Sequence, residues 1–352
     1  MLSIGLHSLV NGLMSNNQIQ NLSYDGTRDW SALVVGRAGL DLYPQPSGVK
    51  TMSAESFASD VGGSGANIAI AMKRSGGSIS LVSALSEDPV GSFVKNRLLE
   101  EGIDLGLMQT TNGDERTSLA IAEERPLDCE VVIYRNNPAD LQVNCNDKIE
   151  LAISKSSNLV VTGTSLIEPK SRDQVLAMML HAKNHDCKVW LDLDYRVWNW
   201  PDKKSTRSAY QQATKLAHVI VGNEEEFKIL HDDLASQAKE CSLNNQLMIV
   251  KRGENGCTLF SGELRIDTGI YKLEVMKPYG SGDAFLGNLI MDYMSSRDWK
   301  KAIEVGSAAA AIVVSKQGCA SAMPTHQEIK SLQDSMSIEP KHSGVKNAYP
   351  PT

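Results

Sequence analysis

The stretch 280–294, GSGDAFLGNLIMDYM, decides how the fold of this chain is interpreted. Apolar side chains recur in it at helical spacing from Phe285 to Met294, which predicts a helix that begins near Ser281 or Gly282. The amides of 280–283 then point outward at a helix N-terminus, where they and the helix dipole form a cradle for an anion. The preceding Pro278 holds the approach to this turn and donates no hydrogen bond itself.

Asp283 lies beside this predicted anion site, where a second negative charge needs a reason. In one interpretation, its carboxylate takes the proton of a hydroxyl group that attacks phosphorus, while the cradle stabilises the charge developing on the phosphoryl group. In the other, it is a first-turn aspartate that only satisfies the helix N-terminus. The stretch alone does not decide between the two.

A second glycine-rich stretch, GGSGAN at 62–67, opens another predicted helix whose first turns carry small residues. Its glycines allow the backbone to approach a ligand closely, and a helix N-terminus favours anions or polar oxygens. A tight turn from a strand into a helix explains the same letters. The chain contains no G-x-x-x-x-G-K-[ST] and no G-x-G-x-x-G after its first strand, which excludes a P-loop and disfavours a dinucleotide-binding fold.

Short apolar runs alternate with helical patterns from Trp30 onwards, which predicts an α/β fold with a mostly parallel sheet covered on both faces. In such sheets ligands collect at the carboxyl ends of the strands. The residues at those ends are Asp41, Asp192, Asp194, Asn223, Lys251 and Gly253. Two extended, half-polar segments near 42–62 and 115–137 interrupt the pattern and predict a small β lid, although surface hairpins explain them equally well.

Composition limits the classes of function. The chain has 352 residues, a formal charge of −7 and no basic run, which argues against binding to nucleic acid. No apolar run reaches the roughly 18 residues of a membrane span. The 6 cysteines are scattered without a C-x-x-C pair, which indicates reduced thiols and a cytoplasmic protein. We expect one large domain over 30–330, a flexible extension over 1–29 and a disordered tail over 334–352.

Several motifs, taken together and in order, resemble those of the ribokinase-like, or PfkB, family of carbohydrate kinases. They are GGSGAN at 62–67, DLDYR at 192–196, NEEE at 223–226, KRGENG at 251–256 and GSGDAF at 280–285. The resemblance covers roughly residues 31–325. It implies a three-layer sandwich with a β lid that makes a homodimer contact, and an enzyme that uses ATP and Mg²⁺ to phosphorylate a sugar.

The resemblance also implies roles for single residues. For the reaction they are Asp283 as catalytic base and Gly280, Ser281 and Gly282 as the anion hole. For ATP and the metal they are Asn223, Lys251, Gly253, Gly256 and, as the metal residue, Glu226. For the sugar hydroxyls they are Asp41, Gly63 and Asn67. The acidic run 224–226 is also typical of an exposed helix start.

The residues before GSGDAF reduce the number of possible substrates. Where most of the family carries Asp-Thr, this chain has Lys277 and Pro278, and Lys277 either neutralises phosphate charge or is a surface lysine. With GRAGLDLYPQP at 36–46 and GCASAMPT at 318–325, the run resembles the subfamily that phosphorylates 5-dehydro-2-deoxygluconate in myo-inositol catabolism. The alternatives are 2-keto-3-deoxygluconate, fructose or, in another class, a non-catalytic sugar or nucleotide sensor.

A sugar acid needs a cation that meets its carboxylate. The chain offers Arg196 at a strand end, Arg135 at the end of a lid strand, and Arg37 within GRAGLD. Each of the three could instead pair with acidic residues nearby. We expect small-molecule partners, a homodimer through the lid, and neither nucleic acid nor membrane as a partner.

Overall fold

The core of the fold is a sheet of 8 strands in a computed structural model that describes residues 22–24 and 26–339. In sheet order the strands are β14 (Leu264–Thr268), β13 (Cys257–Ser261), β12 (Leu247–Lys251), β11 (Val219–Asn223), β10 (Lys188–Asp192), β9 (Asn158–Thr162), β1 (Ala32–Val35) and β4 (Ile79–Val82). The strands from β4 to β12 are parallel, and β13 and β14 continue the sheet as antiparallel strands. The predicted mostly parallel sheet is therefore confirmed.

Helices cover both faces of this sheet. The layer on one face contains α1 (Ser64–Arg74), α2 (Pro89–Glu100), α8 (Ser281–Ser296), α9 (Trp299–Val314) and α10 (His326–Ser335). The layer on the other face contains α3 (Asp147–Ser154), α4 (Pro169–Asn184), α5 (Lys203–Thr214), α6 (Glu224–Leu230) and α7 (Leu234–Leu243). None of these described helices has the length and apolar composition needed to cross a bilayer.

The two helix layers share the side chains of the sheet. Val34 of β1 packs into the core of the first layer, whereas Leu33 and Val35 pack into the core of the second. This division follows from strand geometry, because successive side chains point to opposite faces. The near-continuous apolar runs of the parallel strands thus fill two cores at once, and the molecule is a three-layer sandwich.

A separate sheet of 4 strands corresponds to the predicted lid. Its order is β3 (Ser56–Gly62), β2 (Gly39–Gln45), β7 (Ser118–Ala122) and β8 (Val131–Tyr134), and a small parallel pair, β5 (Ala84–Ser86) with β6 (Gln109–Thr111), lies apart from it. The parallel pairing of β2 with β7 joins the two predicted segments in one sheet, which independent surface hairpins would not do. We call this four-stranded unit the lid sheet.

The segment 1–29, predicted to be a flexible extension, is described only at 22–24 and 26–29. Leu22 is buried, and its amide donates a hydrogen bond to the hydroxyl of Tyr293 at 3.0 Å. The hydroxyl of Tyr24 donates to Asn158 at 2.9 Å. The rest of the predicted extension lies outside the described residues.

The segment 334–352, predicted to be disordered, is described as far as residue 339. In this part α10 continues to Ser335, and Glu339 exchanges main-chain hydrogen bonds with Ile270 at 2.8 and 3.2 Å. Met336 and Ile338 pack against the first core. Residues 334–339 are therefore ordered, because their apolar side chains pack against this core. The remainder of the predicted tail lies outside the described residues.

Candidate active site

The first turn of α8 carries the aspartate that the sequence singles out. Gly280 is the N-cap in a left-handed conformation with φ 83° and ψ −15°, and Ser281 begins the helix as predicted. The first helical hydrogen bond runs from the amide of Ala284 to the oxygen of Gly280 at 3.2 Å. The amides before it have no partner inside the helix, which leaves the open donors that an anion cradle needs.

Asp283 is held by a residue from the other glycine-rich stretch. The Nδ2 atom of Asn67, in α1, donates to Oδ2 of Asp283 at 2.8 Å. Burial and the nearby carboxylate of Asp194 raise the pKa of Asp283 to about 7, although the Asn67 hydrogen bond works against the rise. A carboxyl group that titrates near neutral pH is suited to act as a general base.

An ammonium group lies next to the same helix start. Nζ of Lys251, at the end of β12, donates to Oδ1 of Asp192 at 3.0 Å, and a Cβ atom on Gly282 would lie 3.1 Å from that nitrogen. Burial, opposed by Lys251, raises the pKa of Asp192 to about 6. Burial lowers the pKa of Lys251 but the charges of Asp192 and Glu226 more than offset this, so that the lysine stays an ammonium.

Two of the three candidate arginines are linked to Thr164, one directly and one through Asp194. Nη2 of Arg196 lies 2.9 Å from Oδ1 of Asp194, whose Oδ2 accepts a hydrogen bond from the hydroxyl of Thr164 at 3.3 Å. Nη2 of Arg135 donates to the main-chain oxygen of Thr164 at 3.0 Å and also pairs with Asp140. The side chain of Arg135 is only 5% exposed, and its Nη1 atom is buried without a partner in the described structure.

The predicted sugar side lies where β2 meets the start of α1. The third candidate, Arg37, donates to the hydroxyl of Ser118 at 3.1 Å and lowers the pKa of Asp41. Burial is the larger effect and raises the pKa of Asp41 to about 6, while the hydroxyl of Tyr43 donates to its Oδ2 at 3.2 Å. Gly63 lies at the N-cap of α1, close to the backbone of Arg37.

Two buried oxygens of this region have no hydrogen-bond partner among the described residues. They are Oδ1 of Asp41 and Oδ1 of Asn67. An unpaired buried polar atom costs about 1–3 kcal/mol, so both oxygens gain from a donor. Hydroxyl groups are such donors, and these two acceptors, of which Asn67 also contacts Asp283, suit a ligand that carries several of them.

Glu226, the predicted metal residue, forms a capping box at the start of α6. Its Oε2 accepts from the amide of Asn223 at 2.7 Å, its Oε1 accepts from the amide of Tyr195 at 3.2 Å, and the Asn223 side chain accepts from the Glu226 amide at 2.8 Å. Both residues therefore hold the ends of β10 and β11 together. Their contacts with metal or phosphate remain predictions.

The donor set at these strand ends suits Mg²⁺ only in part. Asp192, Asp194 and Glu226 supply carboxylate oxygens, which Mg²⁺ prefers. No group of three or more acidic, histidine or cysteine side chains in the described part of the chain is arranged to hold a metal ion alone. This fits an ion that shares one or two carboxylates with phosphate oxygens and water.

The predicted nucleotide loop lies directly after Lys251. Its residues Gly253–Asn255 form a short 3-10 turn, in which Gly253 has φ 53°. A Cβ atom on Gly256 would lie 2.0 Å from the oxygen of Thr268, so glycine is required there by packing alone. Contact of this loop with a nucleotide remains a prediction.

Sequence reasoning missed two features of the site. Thr164 joins Arg135 to Asp194, and its place just after β9 was a usable signal, since it follows the same strand-end rule as the aspartates. Lys277 is completely buried, so the interpretation as a surface lysine is wrong. Its charge is held by main-chain oxygens of the segment that leads into α8 and of the end of α9.

Comparison with known proteins agrees with this geometry. A sequence model of the pfkB family of carbohydrate kinases matches residues 31–326. A 5-dehydro-2-deoxygluconokinase of Photobacterium profundum is 38% identical over 309 residues, which cover 85% of this chain and 93% of that protein. A protein of the same name from Geobacillus thermodenitrificans is 33% identical over 321 residues, which cover 88% and 95%.

A solved structure supports the fold independently of the sequence. The fructokinase with bound ATP from Xylella fastidiosa superimposes with a TM-score of 0.76 at 22% identity. The superposition covers 87% of this chain and 98% of that one. At this identity the likeness supports the ribokinase-like fold and leaves the substrate to the residues of the site.

Proposed function

The chain belongs to the PfkB family of carbohydrate kinases, and we propose that it transfers the γ-phosphoryl group of ATP to the terminal hydroxyl of 5-dehydro-2-deoxygluconate. The product is the 6-phosphate, an intermediate of myo-inositol catabolism. The observation that carries the chemistry is the Asp283 carboxylate, hydrogen-bonded to Asn67 at 2.8 Å beside the open amides of α8. A non-catalytic sensor has no need of a base at this position.

In the proposed reaction, Asp283 accepts the proton of the sugar hydroxyl as that oxygen bonds to the γ-phosphorus. The bond from phosphorus to the bridging oxygen of ADP breaks, and ADP leaves. The amides of 280–282 and the ammonium of Lys251, 3.0 Å from Asp192, stabilise the charge that develops on the phosphoryl oxygens. Mg²⁺, when bound near Asp192 and Asp194, supplies further neutralisation of the phosphates.

We assign the substrate carboxylate to Arg135. Its Nη1 atom is buried and lacks a partner among the described residues, and a carboxylate would complete its hydrogen bonds. Neither of the other candidates has a buried nitrogen without a partner among the described residues. Arg196 contacts Asp194 and the oxygen of Tyr195, and its side chain is 43% exposed. Arg37 donates to Ser118.

A substrate panel with matched variants tests both parts of the proposal. Purified protein should release ADP with 5-dehydro-2-deoxygluconate far faster than with 2-keto-3-deoxygluconate, fructose or ribose. Arg135→Lys keeps a charge for Asp140 but loses the second planar nitrogen, so KM for the sugar acid should rise about tenfold or more. The exposed Arg97 provides the control Arg97→Lys, which should match the wild type.

Two outcomes of the panel would contradict the proposal. Turnover with fructose or ribose alone removes the sugar acid as the substrate, whatever the variants do. An unchanged KM in Arg135→Lys, with wild-type selectivity for the acid, instead moves the carboxylate contact to Arg37 or Arg196.

The proposal includes a homodimer through the lid sheet. Its outer strands expose apolar side chains, among them Phe57 on β3 and Val132 and Tyr134 on β8, which are 43%, 51% and 57% exposed. Exposed apolar side chains on an edge strand favour pairing with a second copy. Light scattering should give the mass of two chains, and Val132→Lys should reduce it to one. A wild-type monomer at micromolar concentration would exclude this contact.

A cytoplasmic location is also part of the proposal. All of the cysteines of the chain lie in the described part, and each is a free thiol. Thiols persist in the reducing cytosol, whereas oxidising compartments convert paired cysteines into disulfides. Fractionation of cells should recover the protein with cytosolic markers.

A further inference from the structure

Lys277 is a buried lysine whose ammonium group contacts main-chain oxygens and an aromatic ring. Nζ donates to the oxygen of Val313 at 2.9 Å and to the oxygen of Tyr279 at 3.2 Å, and it lies 5.0 Å from the centre of the Tyr279 ring. No carboxylate of the described residues forms a salt bridge with it. Two carbonyls and one π face match the three donors of an ammonium ion.

The position of this charge links the ends of two helices. Val313 lies in the last turn of α9, where the helix dipole is negative, and its oxygen also accepts a hydrogen bond from the amide of Lys316 at 3.3 Å. Tyr279 directly precedes Gly280, the N-cap of α8, and a Cβ atom on Gly280 would lie 3.7 Å from Nζ. The ammonium therefore lies directly behind the predicted anion hole.

The contact with Tyr279 also fixes the direction of an amide. The peptide between Tyr279 and Gly280 is trans, so its C=O and N–H groups point to opposite sides. Because the oxygen of Tyr279 faces Lys277, the N–H of Gly280 points away from the buried ammonium. Lys277 thus orients one donor of the predicted anion hole without contacting a ligand.

We propose that Lys277 is a positioning residue that acts as a built-in monovalent cation of the site. It holds the turn 279–280 against the end of α9 and adds positive charge behind the anion hole. A bound K⁺ or NH₄⁺ ion would likewise supply a single positive charge and be held by carbonyl oxygens. Because Lys277 already supplies that charge, such an ion is unnecessary here. This inference rests on the proposed kinase function.

The first test compares charge and shape. Wild-type kcat should be equal in KCl, NaCl and choline chloride of the same ionic strength. Lys277→Met fills the same space without charge, so kcat should fall about tenfold or more while KM for the sugar acid changes little. The exposed Lys95 on α2 provides the control Lys95→Met, which should keep wild-type kcat. Wild-type kcat in Lys277→Met, or a wild-type requirement for K⁺, would overturn the proposal.

The second test is rescue by a small cation. Lys277→Ala opens the space beside the two carbonyls, so KCl or NH₄Cl should raise both its kcat and its melting temperature relative to choline chloride. Lys277→Met should not respond, because its side chain fills the space. A Lys277→Ala protein that responds to neither cation in either measurement would contradict the proposal.

The melting temperature separates this inference from the proposed function. If the wild type does not phosphorylate the sugar acid, the proposed substrate is wrong. The melting temperature of Lys277→Ala still tests the role of Lys277: stabilisation by K⁺ or NH₄⁺ supports this role, and a melting temperature that does not respond to either cation contradicts it. If Lys277→Ala does not fold, the salt dependence of the wild type and the kcat of Lys277→Met decide the matter.

Discussion

The starts of α1 and α8 have similar sequences and different surroundings. Both helices follow an N-cap glycine with positive φ, Gly63 at 100° and Gly280 at 83°, and both open with Ser-Gly. Their polar residues, Asn67 and Asp283, meet at 2.8 Å. The two turns therefore form one site, to which one contributes an amide side chain and the other a carboxylate.

The atoms around the two N-cap glycines, Gly63 and Gly280, are of different kinds. A Cβ atom on Gly63 would lie 2.4 Å from the main-chain oxygen of Arg37, so this turn packs backbone against backbone. At Gly280 the nearest atoms belong to side chains, including Lys277, and Lys251 lies beside the next glycine of the turn. The same local pattern thus gives a junction packed against backbone at α1 and a turn with two lysine ammonium groups beside it at α8. Lys251 at the end of β12 and Lys277 in the segment before α8 make the difference.

The largest effect is expected where the two turns meet. Asp283→Asn keeps the size of the side chain but removes the base, so kcat should fall about 10²-fold or more. The circular dichroism spectrum should stay that of the wild type, because Asn is accepted in a first helical turn. Asp88→Asn at the N-cap of α2 provides a matched control with unchanged kcat.

A near-wild-type kcat in Asp283→Asn would leave only the interpretation as a helix-capping aspartate. The comparison of the two turns would then lose its chemical meaning, since Asp283 and Asn67 would be two polar caps in contact. A loss of kcat accompanied by a loss of helical signal would indicate unfolding, and the Asp88→Asn control sets the scale for that effect.

Local signals in the sequence were sufficient for the elements but not for the surroundings of the site. The start of α8 at Ser281 follows from apolar spacing within a single segment, and the parallel sheet follows from repeated strand patterns. The capping box of Asn223 and Glu226 was also readable, because Asn-x-x-Glu before an apolar run is its signature. The acidic run was instead interpreted through the resemblance to the kinases.

Burial of a lysine was not readable from the sequence. Lys277 is buried because the segment before α8 meets the end of α9, and its acceptor Val313 is 36 positions away in the chain. The contact of Arg135 with Thr164 likewise joins the end of a lid strand to the turn after β9. Such contacts depend on tertiary packing, which no local pattern encodes.

The glycines themselves give a second way to separate the turns. Gly63→Ala places a methyl group against rigid backbone at φ 100°, so the free energy of unfolding should fall by about 3 kcal/mol or more. Gly280→Ala meets the side-chain tips of Cys319 and Val313 at 3.1 Å, which can yield, so the loss should be about 1–2 kcal/mol.

Urea unfolding of the two variants measures this difference. Gly48, with φ 89° and no atom within 4 Å of an added Cβ, provides the control Gly48→Ala for backbone strain alone. Equal losses in Gly63→Ala and Gly280→Ala would mean that the two turns are packed alike. The distinction drawn from their neighbours would then be wrong.

The smallest effect concerns the hydrogen bond that joins the turns. Asp283 must be ionised to act as a base, so kcat/KM of the wild type should rise with pH through about 7 and then level off. The Asn67 hydrogen bond lowers the pKa of Asp283. Asn67→Ala should therefore move the rise to higher pH, with a larger loss of activity in mild acid than in mild base.

The free energy of unfolding should also depend on the titration of Asp283, and it should decrease as pH rises. Because the pKa of Asp283 is raised from 3.8 to about 7 on folding, the folded state holds an extra proton between these values. The stability that this proton contributes is present below pH 3.8 and is lost as pH rises through about 7. In Asn67→Ala this loss of stability should extend to higher pH. Ser64→Ala is the control: Ser64 lies in the same turn, but its hydroxyl contacts Thr164 at 3.5 Å, so the pH dependence should not change. Identical pH profiles for wild type and Asn67→Ala would show that the contact at 2.8 Å does not tune the base.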